Sequence, residues 1–190
     1  MTDSSVPEIE TERILFREAT PVDLDEWASR IFGDPDVMRY MPKMDLAPRA
    51  RAERALGVFR QAWANHPCGG WLIKDKADGQ LVGHCKVEYL TDTDEFELGY
   101  ALAKPYWRKG MATEVARAAV RFGFGTAGLT RIMAVVVPEN IASSRVLDHI
   151  GFVFEKAARY YDLDVAYYAI ERHQFSEDGS FYRVRSPKPG

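Results

Sequence analysis

The chain contains few residues that could form covalent or metal cross-links. Its 190 residues include only two cysteines, Cys68 and Cys85, and four histidines. The cysteines form no CxxC pair, and no cysteine or histidine spacing fits a zinc site. These absences exclude a disulfide framework and argue against a metal centre. We therefore expect two buried, reduced thiols and no bound metal.

Long apolar runs and an excess of positive charge are also missing. No apolar stretch approaches the eighteen or more residues that a membrane span needs, and the polar N-terminal residues lack the apolar segment of a signal peptide. The formal net charge is -3, whereas general nucleic-acid binders are usually basic. The sequence therefore favours a cytoplasmic protein that binds neither membranes nor nucleic acid.

The order of apolar patterns predicts one α/β (α+β) domain. The expected order is β-α-α-β-β-β-α-β-α-β-β, a mixed central sheet of about seven strands with helices packed on it. The continuous apolar run 132–137 is typical of a strand covered on both faces. We expect a loose leader over residues 1–10, the folded domain over 11–175 and a tail over 176–190.

A loop that leads into a helix is the first candidate binding segment. Residues 106–114 read YWRKGMATE, with Gly110 allowing close backbone approach and Ala112 keeping the surface small. The free N–H groups and the dipole of a helix start attract anions, and Arg108 and Lys109 add positive charge. The segment lacks both the GxxxxGK[ST] and the GxGxxG pattern. Its chemistry indicates a pyrophosphate or another anion, although a plain helix start with a basic first turn explains it as well.

A second segment follows the apolar strand. Residues 137–152 read VPENIASSRVLDHIGF, with Asn140 where the strand ends and the next helix begins. Asn140 is a good helix cap, and Ser143 fits a solvated first turn. Each residue alone is thus explained by local structure.

Together the two segments resemble the GNAT acetyltransferase superfamily, in particular the branch of ribosomal-protein N-terminal (alanine and serine) acetyltransferases. The family's phosphate loop has the form [Q/R]xxGx[G/A], and residues 107–112 read WRKGMA. Trp107 departs from the pattern at its first position. The second signature is matched by Asn140, Ser143, Arg145, Val146, Leu147, Gly151 and Phe152. The resemblance extends from residue 11 to about residue 172 and implies a single GNAT-like domain with helices on both faces of the sheet.

The resemblance also implies a donor and a set of binding residues. Acetyl-CoA would be the acetyl donor, held at its pyrophosphate by the amides of Arg108, Lys109, Gly110, Met111, Ala112 and Thr113. Asn140 and Ser143 would lie beside the pantetheine arm. A main-chain N–H near Leu102 would stabilise the oxyanion that forms on the thioester.

The expected reaction is direct attack of a primary amine on acetyl-CoA in a ternary complex. Glu97 is the candidate base, by analogy with glutamates on the corresponding strand, and Tyr161 is preferred over Tyr160 as proton donor. An acyl-cysteine route is excluded because adjacent strand residues such as His84 and Cys85 point to opposite faces. The acceptor, a small-molecule amine or a protein N-terminal amine, stays open, as does the choice between monomer and homodimer. A non-catalytic CoA-binding sensor or interaction module is the alternative.

Overall fold

The computed structural model describes residues 6–185. The described residues form four α-helices and nine strands. The helices are α1 (Leu24–Trp27), α2 (Pro48–Asn65), α3 (Met111–Gly125) and α4 (Ile141–Ile150). The strands are β1 (Glu8–Thr11), β2 (Ile14–Arg17), β3 (Gly70–Asp75), β4 (Leu81–Leu90), β5 (Glu95–Leu102), β6 (Arg131–Val136), β7 (Val153–Tyr160), β8 (Leu163–Glu171) and β9 (Tyr182–Arg185). Within this range, no helix is both long and apolar enough to cross a membrane.

The first helical segment begins with a capping box at Thr20. Thr20 and Asp23 form a capping box around a short 3-10 turn, with Pro21 at its first position. Helix α1 follows and continues as a π-helical turn over Ala28–Phe32. Asp23 is buried. Burial raises its pKa, but hydrogen bonds from Arg17 and Thr20 outweigh that effect and lower it, so this start is stabilised by an ionised carboxylate.

The strands form one sheet in the order β7-β8-β6-β5-β4-β3-β2-β1-β9. Neighbouring strands are antiparallel except for β5 and β6, which are parallel. A parallel pair needs a crossover connection, and α3 supplies it. The crossover places the C-terminal ends of β5 and β6 at the same edge of the sheet, so that the helices following both strands begin there.

Helices cover both faces of the sheet, as predicted. Trp27 of α1 and Phe59 of α2 pack against His84 on one face. Phe122 of α3 packs against Trp71 on the other face, which is also the face of Cys85, the strand partner of Trp71. The core lies in these two layers.

The count of about seven strands was too low by two, and the extra strands lie at the chain ends. Strand β1 begins in the predicted leader, and β9 lies in the predicted tail; the two pair antiparallel with Ile9 opposite Val184. An ion pair between Arg185 and Glu10 (2.7 Å) also holds β9 against β1. Each strand has only four residues, and among the described strands β9 pairs only with β1, a strand distant from it in sequence. Residues 1–5 of the predicted leader and 186–190 of the predicted tail lie outside the described range.

Candidate active site

The predicted site residues converge at the edge where the parallel strands end. β5 and β6 pair at Glu97 and Met133, and β5 then runs on to Leu102. Ala103 donates its N–H to Val82 on β4 (2.8 Å). Because successive strand amides point to opposite sides, the N–H of Leu102 is directed towards the β6 side. It is thus aimed at the space between the two strand ends.

The loop between β5 and α3 is held in a tight, left-handed turn. Arg108 has φ 59° and Gly110 has φ 71°, a conformation that glycine adopts without strain. The indole N–H of Trp107 donates to the Leu102 carbonyl (2.7 Å). This contact ties the loop to the end of β5, so that Trp107 has a structural role where the family pattern has Gln or Arg.

Helix α3 begins with backbone N–H groups that have no intrahelical acceptor. Its first helical hydrogen bond runs from Glu114 N–H to the Gly110 carbonyl (3.1 Å), so the amides of Met111, Ala112 and Thr113 lie ahead of the helical ladder. No side chain of the described residues caps this end. Arg108 and Lys109 are exposed beside it. This donor set fits a pyrophosphate, with oriented N–H groups, a helix dipole and mobile positive charge.

Helix α4 begins beside β5 on the same edge. The Asn140 side chain accepts a hydrogen bond from the Ser143 N–H (3.3 Å) and caps the helix. The Ser143 hydroxyl lies 2.9 Å from the Tyr100 hydroxyl on β5, and burial raises the pKa of Tyr100 to about 12. A neutral hydrogen-bonded pair therefore fixes the start of α4 to the strand that carries Glu97.

Glu97 and Tyr161 are in direct contact. The Tyr161 hydroxyl donates to Glu97 Oε2 at 2.7 Å, and Glu97 is only 4% exposed. Burial raises the pKa of Tyr161, and the charge of Glu97 raises it further. Tyr160, the alternative candidate, instead donates to Glu95 (3.4 Å). The structure thus brings Tyr161 and not Tyr160 to the candidate base.

Tyr161 occupies an unusual backbone position. Tyr161 (φ 54°) and Asp162 (φ 61°) are the two residues between β7 and β8, and both have the positive φ of a type I′ hairpin turn. Aspartate tolerates this region, whereas a bulky residue such as tyrosine rarely occupies it. Strained positions of this kind cluster at functional sites.

Lys86 and Glu88 complete a cluster around the buried Glu97 carboxylate, and the sequence reasoning missed both. Lys86 Nζ lies 3.3 Å from Glu97 Oε2 and also forms an ion pair with Glu88. Burial by itself would lower the pKa of Lys86, but the two carboxylates outweigh it and raise that pKa. The polar turn 91–94 could have indicated this pairing. If Leu90 and Glu95 pair at the ends of that turn, Glu88 must lie opposite Glu97, and the observed register agrees.

The remaining nucleophile candidates are structural. His84 Nδ1 accepts the Trp27 indole N–H (2.9 Å), and burial lowers the pKa of His84 to about 3. Cys68 and Cys85 are free and buried, and burial raises the pKa of Cys68 to about 12. A neutral imidazole and protonated thiols at neutral pH give no activated cysteine.

Comparison with known proteins agrees with this geometry. The family model described as the acetyltransferase (GNAT) domain matches residues 13–153. The chain belongs to the GNAT acetyltransferase family. It is 31% identical over 156 residues to the uncharacterized N-acetyltransferase YoaA of Bacillus subtilis, covering 82% of this chain and 88% of YoaA. As a member of this family it is an acetyl-CoA-dependent acetyltransferase.

Two solved structures share the fold at lower identity. The ribosomal-protein-S5-alanine acetyltransferase of Vibrio fischeri aligns with a TM-score of 0.73 at 22% identity, covering 90% of this chain and 99% of that one. RimJ of Mycobacterium smegmatis, solved with CoA-disulfide, aligns with a TM-score of 0.78 at 21% identity, covering 91% and 90%. These alignments confirm the predicted GNAT fold, which this chain shares with members of the ribosomal-protein acetyltransferase branch.

Proposed function

We propose that this GNAT enzyme transfers the acetyl group of acetyl-CoA to a primary amine by direct attack, with Glu97 as the proton acceptor and Tyr161 as the proton donor. The acceptor is a small-molecule amine or a protein N-terminal amine. The observation that carries the proposal is the hydrogen bond between the Tyr161 hydroxyl and the buried Glu97 carboxylate. This contact supports the proposal because it joins a carboxylate and a hydroxyl beside the strand that ends at Leu102.

The donor side rests on the two helix starts. The amides of residues 108–113 would hold the pyrophosphate, because those at the start of α3 have no helical acceptor and the loop geometry exposes them. Asn140 and Ser143 would border the pantetheine arm through the capped start of α4. Trp107 and Tyr100 fix both segments to β5, which supports these assignments because it holds the two helix starts at one edge of the sheet.

The acceptor side rests on proton balance. An alkyl ammonium has a pKa of about 10.4 and must lose a proton before it can attack. Glu97 would take that proton, and Lys86 offsets the charge of the carboxylate in the resting site. As nitrogen bonds to the acetyl carbon, the Leu102 N–H would stabilise the oxyanion. When the C–S bond breaks, the Tyr161 hydroxyl would supply a proton to the departing thiolate.

The test is release of CoA thiol from acetyl-CoA in the presence of a panel of primary amines and of peptides with free N-termini. We expect acceptor-dependent thiol release and an acetylated product detected by mass spectrometry. Binding of CoA without turnover on any acceptor would contradict the proposal and favour a CoA-binding sensor or interaction module. Comparing small amines with peptides in the same assay decides between the two acceptor classes.

A further inference from the structure

The turn between β1 and β2 contacts the start of α3 from outside the site described above. Arg13 donates from Nη1 to the Lys109 carbonyl (2.8 Å) and from Nε to Glu114 Oε2 (2.6 Å). Its main-chain N–H and the hydroxyl of the buried Thr11 both donate to Glu114 Oε1, at 3.1 and 2.6 Å. Four hydrogen bonds thus join one hairpin turn to the loop and to the first turn of the helix.

Glu114 creates an electrostatic problem for an anion site. A carboxylate in the first turn of a helix is attracted by the same free N–H groups and the same dipole that attract a phosphate. An unpaired Glu114 would compete for the amides of Met111 to Thr113 and would repel the incoming anion. In the structure its carboxylate is instead bound by Arg13 and Thr11 and directed to the hairpin.

We propose that Arg13 is a positioning residue for the phosphates of CoA: it holds the Glu114 carboxylate away from the free amides, offsets its charge and fixes the Lys109 carbonyl. This inference rests on the proposed function of the same loop. Arg13 Nη2 lies 3.8 Å from where a Cβ on Gly110 would stand. The third guanidinium nitrogen therefore adds positive charge on the side of the loop.

The hairpin is anchored independently of the Arg13 side chain. Lys76 donates its main-chain N–H to the Arg13 carbonyl (2.9 Å) and its ammonium to the Thr11 carbonyl (2.9 Å). The Arg13 side chain is 42% exposed. Substitution of this side chain is therefore expected to leave the fold intact and to act on the loop.

The experiment measures binding of CoA and of phosphate-free pantetheine by isothermal titration calorimetry. The variants are Arg13→Gln, Arg13→Lys, Glu114→Gln and the double variant Arg13→Gln/Glu114→Gln. Arg117→Gln is the matched control, because Arg117 lies one turn further along α3 and pairs with Asp178 (3.1 Å) away from the loop. Circular dichroism and thermal melting check that each variant is folded.

We expect Arg13→Gln to weaken CoA binding roughly tenfold, in line with the loss of one charge-assisted contact network, and to leave pantetheine binding unchanged. The double variant should regain part of the loss, because the competing carboxylate is gone. Arg13→Lys should be intermediate, since a lysine keeps the positive charge but lacks the rigid, planar fork of donors that a guanidinium presents. It serves as the test if Arg13→Gln does not fold.

Three results would overturn the inference: CoA binding by folded Arg13→Gln and Arg13→Lys at wild-type affinity, equal losses for CoA and pantetheine, or no recovery in the double variant. Failure of the wild-type protein to bind CoA would instead overturn the proposed function. The two failures are therefore distinguishable.

Discussion

The substitution Glu97→Gln keeps the shape of the side chain and removes its charge. The glutamine oxygen still accepts the Tyr161 hydroxyl, which lies 2.7 Å from the carboxylate. Lys86 loses one ion-pair partner at 3.3 Å but keeps Glu88. The substitution therefore removes proton acceptance while most of the cluster stays in place.

The size of the effect follows from the acceptor. With a pKa of about 10.4, roughly one alkylamine in a thousand is deprotonated near pH 7.4. A positioned general base contributes roughly 10²–10⁴-fold, or about 3–5 kcal/mol of barrier. Without this base, the Glu97→Gln enzyme can react only with amine that is already deprotonated in solution. With an alkylamine acceptor, its kcat/KM should then rise about tenfold per pH unit between about pH 7 and about pH 9, a slope set by the amine pKa. With a protein N-terminal amine, whose pKa is about 8, the rise should level off above about pH 8.

The assay is thiol release at saturating acetyl-CoA over this pH range. Glu88→Gln is the matched control, because Glu88 lies opposite Glu97 and shares Lys86 but has no bond to Tyr161. We expect a large loss at neutral pH and a steep recovery only in Glu97→Gln. An unchanged pH profile in Glu97→Gln, or an equal loss and recovery in Glu88→Gln, would refute Glu97 as the base.

Three further changes test other parts of the account. Gly110→Val should stay folded, since the nearest atom to an added Cβ is 3.8 Å away. The positive φ at position 110 should make the variant about 1–2 kcal/mol less stable, and its CoA affinity should fall at least tenfold. Wild-type CoA affinity in calorimetry would refute the assignment of this loop as the phosphate-binding loop. Tyr161→Phe should lower kcat by about a hundredfold, while Tyr160→Phe keeps it; equal kinetics of the two variants would exclude Tyr161 as the donor. Burial lowers the pKa of His84 to about 3, whereas an unfolded histidine has a pKa of about 6.5. Between these values the unfolded state binds a proton that the folded state does not. The free energy of unfolding should therefore fall by about 1.4 kcal/mol per pH unit as pH drops from about 6.5 towards 3, and should be unaffected by His84 above about pH 6.5. Chemical denaturation of His84→Gln should show a shallower loss, and an equally steep one would contradict this assignment.

The elements predicted well from sequence were those with strong local patterns. Helix α3 and strand β6 are marked by an apolar helix face and by the continuous apolar run 132–137. Strands β1 and β9 were not predicted, because each has four residues with charges among them, and their pairing joins Ile9 to Val184. No local pattern carries information about a partner so distant in sequence.

The site shows the same division. The loop around Gly110 and the cap at Asn140 were predictable because helix starts have local chemistry. Lys86 and Arg13 were missed because the role of each depends on contacts with residues of another strand or helix. The position of Lys86 depends on the register across the turn 91–94, and that of Arg13 depends on the packing of the first hairpin against α3.

The most direct test of the central claim is initial-rate kinetics, with acetyl-CoA varied at several fixed concentrations of the best acceptor, together with mass spectrometry of the enzyme incubated with acetyl-CoA alone. Direct transfer predicts intersecting double-reciprocal lines and an enzyme of unchanged mass. Parallel lines, together with an acetylated enzyme that passes its acetyl group to the amine, would contradict it.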